Sequence, residues 1–154
     1  MINIGLIGLG TVGTGVFKTL RNCPDVRIKK IAVSNVTKQR NIENFDYSLL
    51  TTDPYEIAND KDIDIVVEVI GGITPAKDII KTAIKNKKHI VTANKELLAK
   101  CGAEIFELET KMKSAVVIDN KKINTSKVGI GCRVFVTNVK TNAEFEYKIV
   151  GDTD

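Results

Sequence analysis

The sequence predicts an α/β fold, a doubly wound parallel sheet with a C-terminal β-hairpin extension. Three observations carry that expectation. The chain opens on an apolar run, Ile2 to Ile7, that passes through Gly8-Leu9-Gly10-Thr11-Val12-Gly13 into a helical pattern of Val12, Val16, Phe17 and Leu20. Apolar runs then alternate with amphipathic stretches as far as Thr92, the order of strand and crossover helix in a parallel sheet. Towards the C-terminus the period becomes two, over Arg133 to Val139 and Glu144 to Val150, with Lys140-Thr141-Asn142-Ala143 as the turn between them.

A G-x-G-x-x-G stretch gains meaning when it closes a strand and opens a helix. Gly8 then makes the tight turn, Gly10 lets backbone approach a pyrophosphate, and Gly13 lets helix and strand pack closely. The helix start offers free N–H groups and the positive end of its dipole. This is the Rossmann-like nucleotide-binding turn.

At 154 residues the chain is sized for one ordinary domain, or one domain plus a fragment. Its net charge of +4 is mild, with lysines interleaved among acids, so no basic stripe marks a nucleic-acid footprint. Cys23, Cys101 and Cys132 are far apart and lack metal-ligand spacing. Without a secretory signal or membrane-length apolar run, they read as reduced thiols of a cytoplasmic protein that binds no metal. His89 is the only histidine and sits at the start of an apolar strand, so it reads as a strand-edge residue and neither a Ser-His-Asp triad nor a multi-histidine metal site is expected.

The first helix runs from about Thr11 to Arg21, and Val26 to Ser34 is the second strand. An Asp or Glu about 20 residues past the glycines would hold a ribose 2′-hydroxyl. Here Ser34-Asn35-Val36-Thr37-Lys38-Gln39-Arg40 has no acid and two cations. A 2′-phosphate suits such a loop, Arg40 through its planar fork, and a merely solvated basic loop suits it equally. The cofactor expected is NADP, with NAD as the alternative.

Asn41 to Asp53 reads as irregular, anchored by Phe45, Tyr47, Leu49 and Leu50. A short helix then starts with Asp53 as N-cap and Pro54 at its first position. Ile63 to Ile70 is a buried strand closed by Gly71-Gly72, which lie where a nicotinamide or ribose would pass beyond the strand ends. Glu68 inside that strand reads as a partnered structural carboxylate. Pro75 to Lys85 forms an amphipathic helix, His89 to Thr92 a fourth parallel strand, and Glu96 to Lys100 a further helix. Lys95 thus stands at a strand's carboxyl end, within reach of a cofactor phosphate or ribose, or of a substrate oxygen.

Residues 1 to about 108 resemble the NAD(P)-binding domain of homoserine dehydrogenases. The likeness rests on IGLIGLGTVGTGV at 4–16, LLTTDP at 49–54, IDIVVEVIGGITPA at 63–76 and KKHIVTANKELLAKCGAEIFEL at 87–108. It implies interconversion of L-homoserine and aspartate semialdehyde, within threonine and methionine biosynthesis. Carried onto this chain, it places Gly8, Gly10, Thr11, Val12 and Gly13 at the pyrophosphate. Thr92 and Lys95 fall at the ribose and nicotinamide side with Gly71 nearby, and Lys95 also helps polarise the substrate. The family's substrate and dimerisation domain, with its acid–base groups, has no counterpart in these residues. The expectation is cofactor binding with little or no turnover, and an amino-acid substrate only if a catalytic domain is supplied.

Residues from about Phe106 to Asp154 resemble part of a Gre-type transcript-cleavage factor. The carrying residues are Leu108-Glu109, Ala115 to Asp119, Lys127-Val128, Gly131 to Val134 and Tyr147 to Asp152; the acidic coiled-coil tip of that family is absent. The expected division is a dinucleotide-binding domain at 1–118 and a hairpin tail at 119–154, with Ala115 to Ile118 as one more parallel strand. A lone hairpin is marginal in water, so the tail docks, pairs with another chain or stays loose. An exposed sheet edge would favour a homodimer or aggregation. The alternatives to a cofactor-binding module are a fragment that binds RNA polymerase and a chimeric chain with no native function.

Overall fold

The computed structural model describes residues 1–114, 127–129 and 132–150. The chain divides into two compact units, Met1–Ser114 and Ala115–Asp154. The expected strand at Ala115 to Ile118 and the expected boundary at 118/119 lie outside the described residues.

The first unit is a five-stranded parallel sheet in the order β3-β2-β1-β4-β5. Its strands are β1 (Ile2–Ile7), β2 (Val26–Ala32), β3 (Leu50–Thr51), β4 (Ile65–Glu68) and β5 (His89–Thr92). Alternation along β1 sends side chains to opposite faces of the sheet. Ile4 and Leu6 join Phe17 of helix α1 (Thr11–Leu20), together with Ile31, Val33, Ile42 and Val67. Ile7, Ala32 and Val66 instead meet Ile57 and Ala58 of α2 (Pro54–Asn59) and Ile79 and Ala83 of α3 (Ala76–Lys85). Both faces are therefore covered, the condition under which a parallel sheet is stable.

The α/β expectation is met, with differences in detail; the strands expected at Val26 to Ser34 and Ile63 to Ile70 are the shorter Val26–Ala32 and Ile65–Glu68. Four parallel strands were expected, and Leu50–Thr51 adds a fifth beside Ile31 and Ala32. The short helix expected at Glu96 to Lys100 is the start of a longer one, α4 (Lys95–Ser114), running through Gly102. It packs Leu97 against Ala76, Ile80 and Ile84 of α3, with Ile105, Leu108 and Met112 alongside. Glu104 fastens the same pair of helices by accepting from Lys77 at 2.7 Å and Lys81 at 2.9 Å. The α2 start is as read: Asp53 accepts from the Tyr55 N–H at 2.8 Å, with Pro54 in the first turn.

The amino edge of the sheet is closed by polar side chains. Lys88, 7% exposed, donates to the carbonyl oxygens of Ile63 (2.8 Å) and Asp60, and burial pushes its ammonium below the usual lysine range. Lys29 pairs with Asp60 and Asp62, Asp64 accepts from the Asn3 N–H, and Asn86 donates to the Ala58 carbonyl. Among the described residues no helix is long and apolar enough to cross a membrane.

The second unit contains the expected hairpin, β6 (Arg133–Thr137) antiparallel to β7 (Glu144–Lys148). Val134 lies opposite Tyr147 and Val136 opposite Phe145 on one face, while Phe135 lies opposite Glu146 on the other. Asn138 shapes the turn, its side chain accepting from the Lys140 and Thr141 N–H groups.

Candidate functional site

The strand order reverses between β1 and β4, and the glycine loop leaves β1 at that switch point, where open α/β sheets take their ligands. Gly8 has φ +103° and donates its N–H to the Ala32 carbonyl at 2.9 Å. A Cβ on Gly13 would stand 2.1 Å from the Gly8 carbonyl oxygen, so helix and loop meet there with no room for a side chain. A Cβ on Gly10 would meet nothing within 4 Å. Gly10 is also the N-cap of α1 without a side-chain cap, and no acid occupies the first turn. Free helix donors beside an empty cradle suit an anion.

A cleft of about 510 Å³ lies along this loop. Of the residues singled out in the sequence, Gly8, Gly10, Ser34, Lys38 and Arg40 line it, joined by Thr52, Pro54, Ile70 and Pro75. Arg40 staples the cleft together: one terminal nitrogen donates to the Leu9 carbonyl (3.4 Å), the other to the Asn35 carbonyl (2.8 Å), and its Nε is buried without a partner among the described residues. The Asn35 side chain shapes the loop by accepting from the Thr37 and Lys38 N–H groups, and Lys38 itself is exposed. An open glycine cradle, an unspent guanidinium donor and an exposed lysine fit a phosphate-bearing dinucleotide.

Thr11, Val12, Gly13, Gly71, Gly72, Thr92 and Lys95 do not line that cleft. Thr11 and Val12 are exposed at the start of α1. The last four lie at the ends of β4 and β5, beyond Val69 and Ile70, which themselves crowd Gly8. Ile7, Glu68 and Thr92 stand side by side in the sheet register. Glu68 is fully buried and partnered as expected: it accepts from the Ile70 N–H at 2.9 Å and from the Thr92 hydroxyl at 2.6 Å. Gly71 and Gly72 form a turn with φ of +73° and +69°, a pair of left-handed residues that side chains disfavour. Lys95 opens α4 and is exposed, while His89 is exposed at the opposite edge.

Sequence reasoning missed Asn94, only 6% exposed between the loops that follow β4 and β5. Its partners lie at Thr92, Leu97 and Gly72, and only its place before a helix start offered a signal.

Comparison with known proteins agrees with this geometry. Residues 8–119 match the family described as "Homoserine dehydrogenase, NAD binding domain". The homoserine dehydrogenase of Bacillus subtilis is 42% identical over 115 residues, 68% of this chain and 26% of that protein. That of Neisseria gonorrhoeae is 42% identical over 117 residues, 71% of this chain and 27% of its own. Among solved structures, a homoserine dehydrogenase from Thiobacillus denitrificans is 43% identical with a TM-score of 0.65, covering 73% of this chain and 28% of its own. One from S. aureus at pH 7.5 is 41% identical with a TM-score of 0.67, covering 77% of this chain and 33% of its own. The chain thus spans about a quarter of the length of the curated relatives it matches. The family match ends before the hairpin, and the tail's likeness to Gre factors rests on its quoted residues alone. The chain belongs to the homoserine dehydrogenase family, through that family's NAD-binding domain.

Proposed function

We propose that residues 1–118 bind the cofactor of an NAD(P)-dependent homoserine dehydrogenase. The whole activity is the exchange of a hydride between L-homoserine and NAD(P)⁺, with aspartate semialdehyde, NAD(P)H and a proton as products. The observation that carries this reading is the open cradle at Gly10, at the sheet's switch point, facing the Lys38 and Arg40 loop.

In this reading Gly8, Gly10, Thr11, Val12 and Gly13 receive the pyrophosphate on backbone donors and the helix dipole. Ser34, Lys38 and Arg40 surround the adenosine ribose, and their charge favours NADP over NAD, since no acid stands there to take a 2′-hydroxyl. Gly71, Gly72, Thr92 and Lys95 flank the nicotinamide side, where the Lys95 ammonium also polarises the substrate carbonyl oxygen. The bound cofactor supplies the hydride chemistry; these residues bind and orient it. Efficient transfer also needs groups that hold the carbonyl in place, so these 154 residues alone bind cofactor with little or no turnover. The reading is of a cytoplasmic protein that forms homodimers.

Calorimetric titration with NADP and NAD, beside a Gly10→Asp variant, tests it. Micromolar to millimolar binding that the variant loses is the expected result, because the carboxylate fills the cradle and repels phosphate. Folded protein that binds neither dinucleotide sinks the proposal.

A further inference from the structure

Asn94 satisfies two partners that only one orientation of its amide can serve. Its Oδ1 accepts from the Leu97 N–H at 3.1 Å, capping α4, and its Nδ2 donates to the Gly72 carbonyl at 2.5 Å. Its backbone N–H donates to the Thr92 hydroxyl at 3.0 Å, and that hydroxyl donates in turn to Glu68. Glu68 closes the circuit on the Ile70 N–H, two residues before Gly72. The Gly71–Gly72 turn therefore cannot shift without disturbing the start of α4, where Lys95 sits.

Capping a helix requires only a side-chain oxygen, which Asp, Ser or Thr supplies equally well. The amide N–H₂ is needed only for Gly72. We propose that Asn94 is a positioning residue for the nicotinamide end of the cofactor, its amide locking the Gly71–Gly72 turn to Lys95 as one preformed wall. A wall ordered beforehand spares the cofactor the entropic cost of ordering it on binding. The inference rests on the NAD(P)-binding reading above.

The test compares NADP with 2′-phospho-ADP-ribose, which lacks the nicotinamide, by calorimetry on the full chain. Asn94→Asp keeps the cap oxygen but sets an acceptor against the Gly72 carbonyl. Asn94→Ser keeps a cap oxygen without adding charge, and stands in should the first variant not fold. The expected result is NADP binding weakened about tenfold in either variant, the size of one lost buried hydrogen bond, with the fragment's affinity unchanged. A purely structural role for Asn94 would weaken both ligands alike. Equal weakening, no weakening, or an effect confined to the Asp variant each overturns the assignment. If the unsubstituted chain binds neither ligand, the cofactor reading itself has failed, a pattern no positioning defect produces.

Discussion

The two edges of one sheet bury polar groups for opposite ends. At the amino edge Lys88 gives its protons to the Asp60 and Ile63 carbonyls, while Lys29, Asn3 and Asn86 tie the neighbouring connections together. Those bonds close the edge on itself. At the carboxyl edge Glu68, Thr92 and Asn94 also form a closed circuit, but what they hold in place is left open: Gly71 and Gly72 with free space around them, and an exposed Lys95. Buried polarity seals one edge and shapes a surface on the other. A parallel sheet makes this division available because every strand ends on the same side.

The comparison breaks most violently at Gly13, where loop and helix have no spare volume. Gly13→Ala drives a Cβ into the Gly8 carbonyl, and we expect a loss of about 3 kcal/mol on the overpacking scale, read by denaturant unfolding. Stability within 0.5 kcal/mol of the parent, on the scale of an ordinary surface substitution, would show that the contact relaxes at little cost. At the sealed edge, Lys88→Met strands two carbonyls and should cost about 2 kcal/mol, with NADP affinity measured in the same preparation unchanged. A fall in that affinity would mean the two edges are coupled.

The smallest effect belongs to an exposed group on the flank. Hydrogen bonds from Lys77, then Lys81, lower the Glu104 carboxyl from its usual 4.5 to about 2. A depressed carboxylate contributes stability that is full above about pH 4.5 and is lost as pH falls towards 2. Melting temperatures from pH 7 to 2 should therefore fall less steeply below pH 4.5 in Glu104→Gln than in the parent. Parallel curves would remove the ion pair from the account of how α3 holds α4.

What the residues disclosed depended on how local the cause was. The glycine loop, the Asp53-Pro54 helix start and the period-two hairpin each carry their reason within a few positions, and each is found. Leu50–Thr51 is too short to show a period, so its pairing with β2 was invisible. The full length of α4 did not show either, because packing sets it: Leu97, Ile105, Leu108 and Met112 lie along one side of a helix that continues through Gly102. At the site, Arg40 reaches the Leu9 carbonyl 31 positions back, and Asn94 reaches Gly72 22 positions back. Such bonds follow from tertiary register, which no window of sequence contains. Glu68 was recognisable as partnered because a carboxylate in an apolar strand requires partners, but their identities were not.

Gly10 and Gly13 lie three positions apart, one capping α1 and the other inside its first turn, yet one borders empty space and the other touches backbone. Their variants should therefore part company inside a cell. Damage at Gly13 lowers the amount of protein, since quality control removes chains that open too often. Damage at Gly10 leaves a well-behaved, abundant chain that has simply gone silent. A survey scoring abundance alone would rank Gly10 among the most tolerant positions, and only a selection for ligand would reveal why a glycine is kept there.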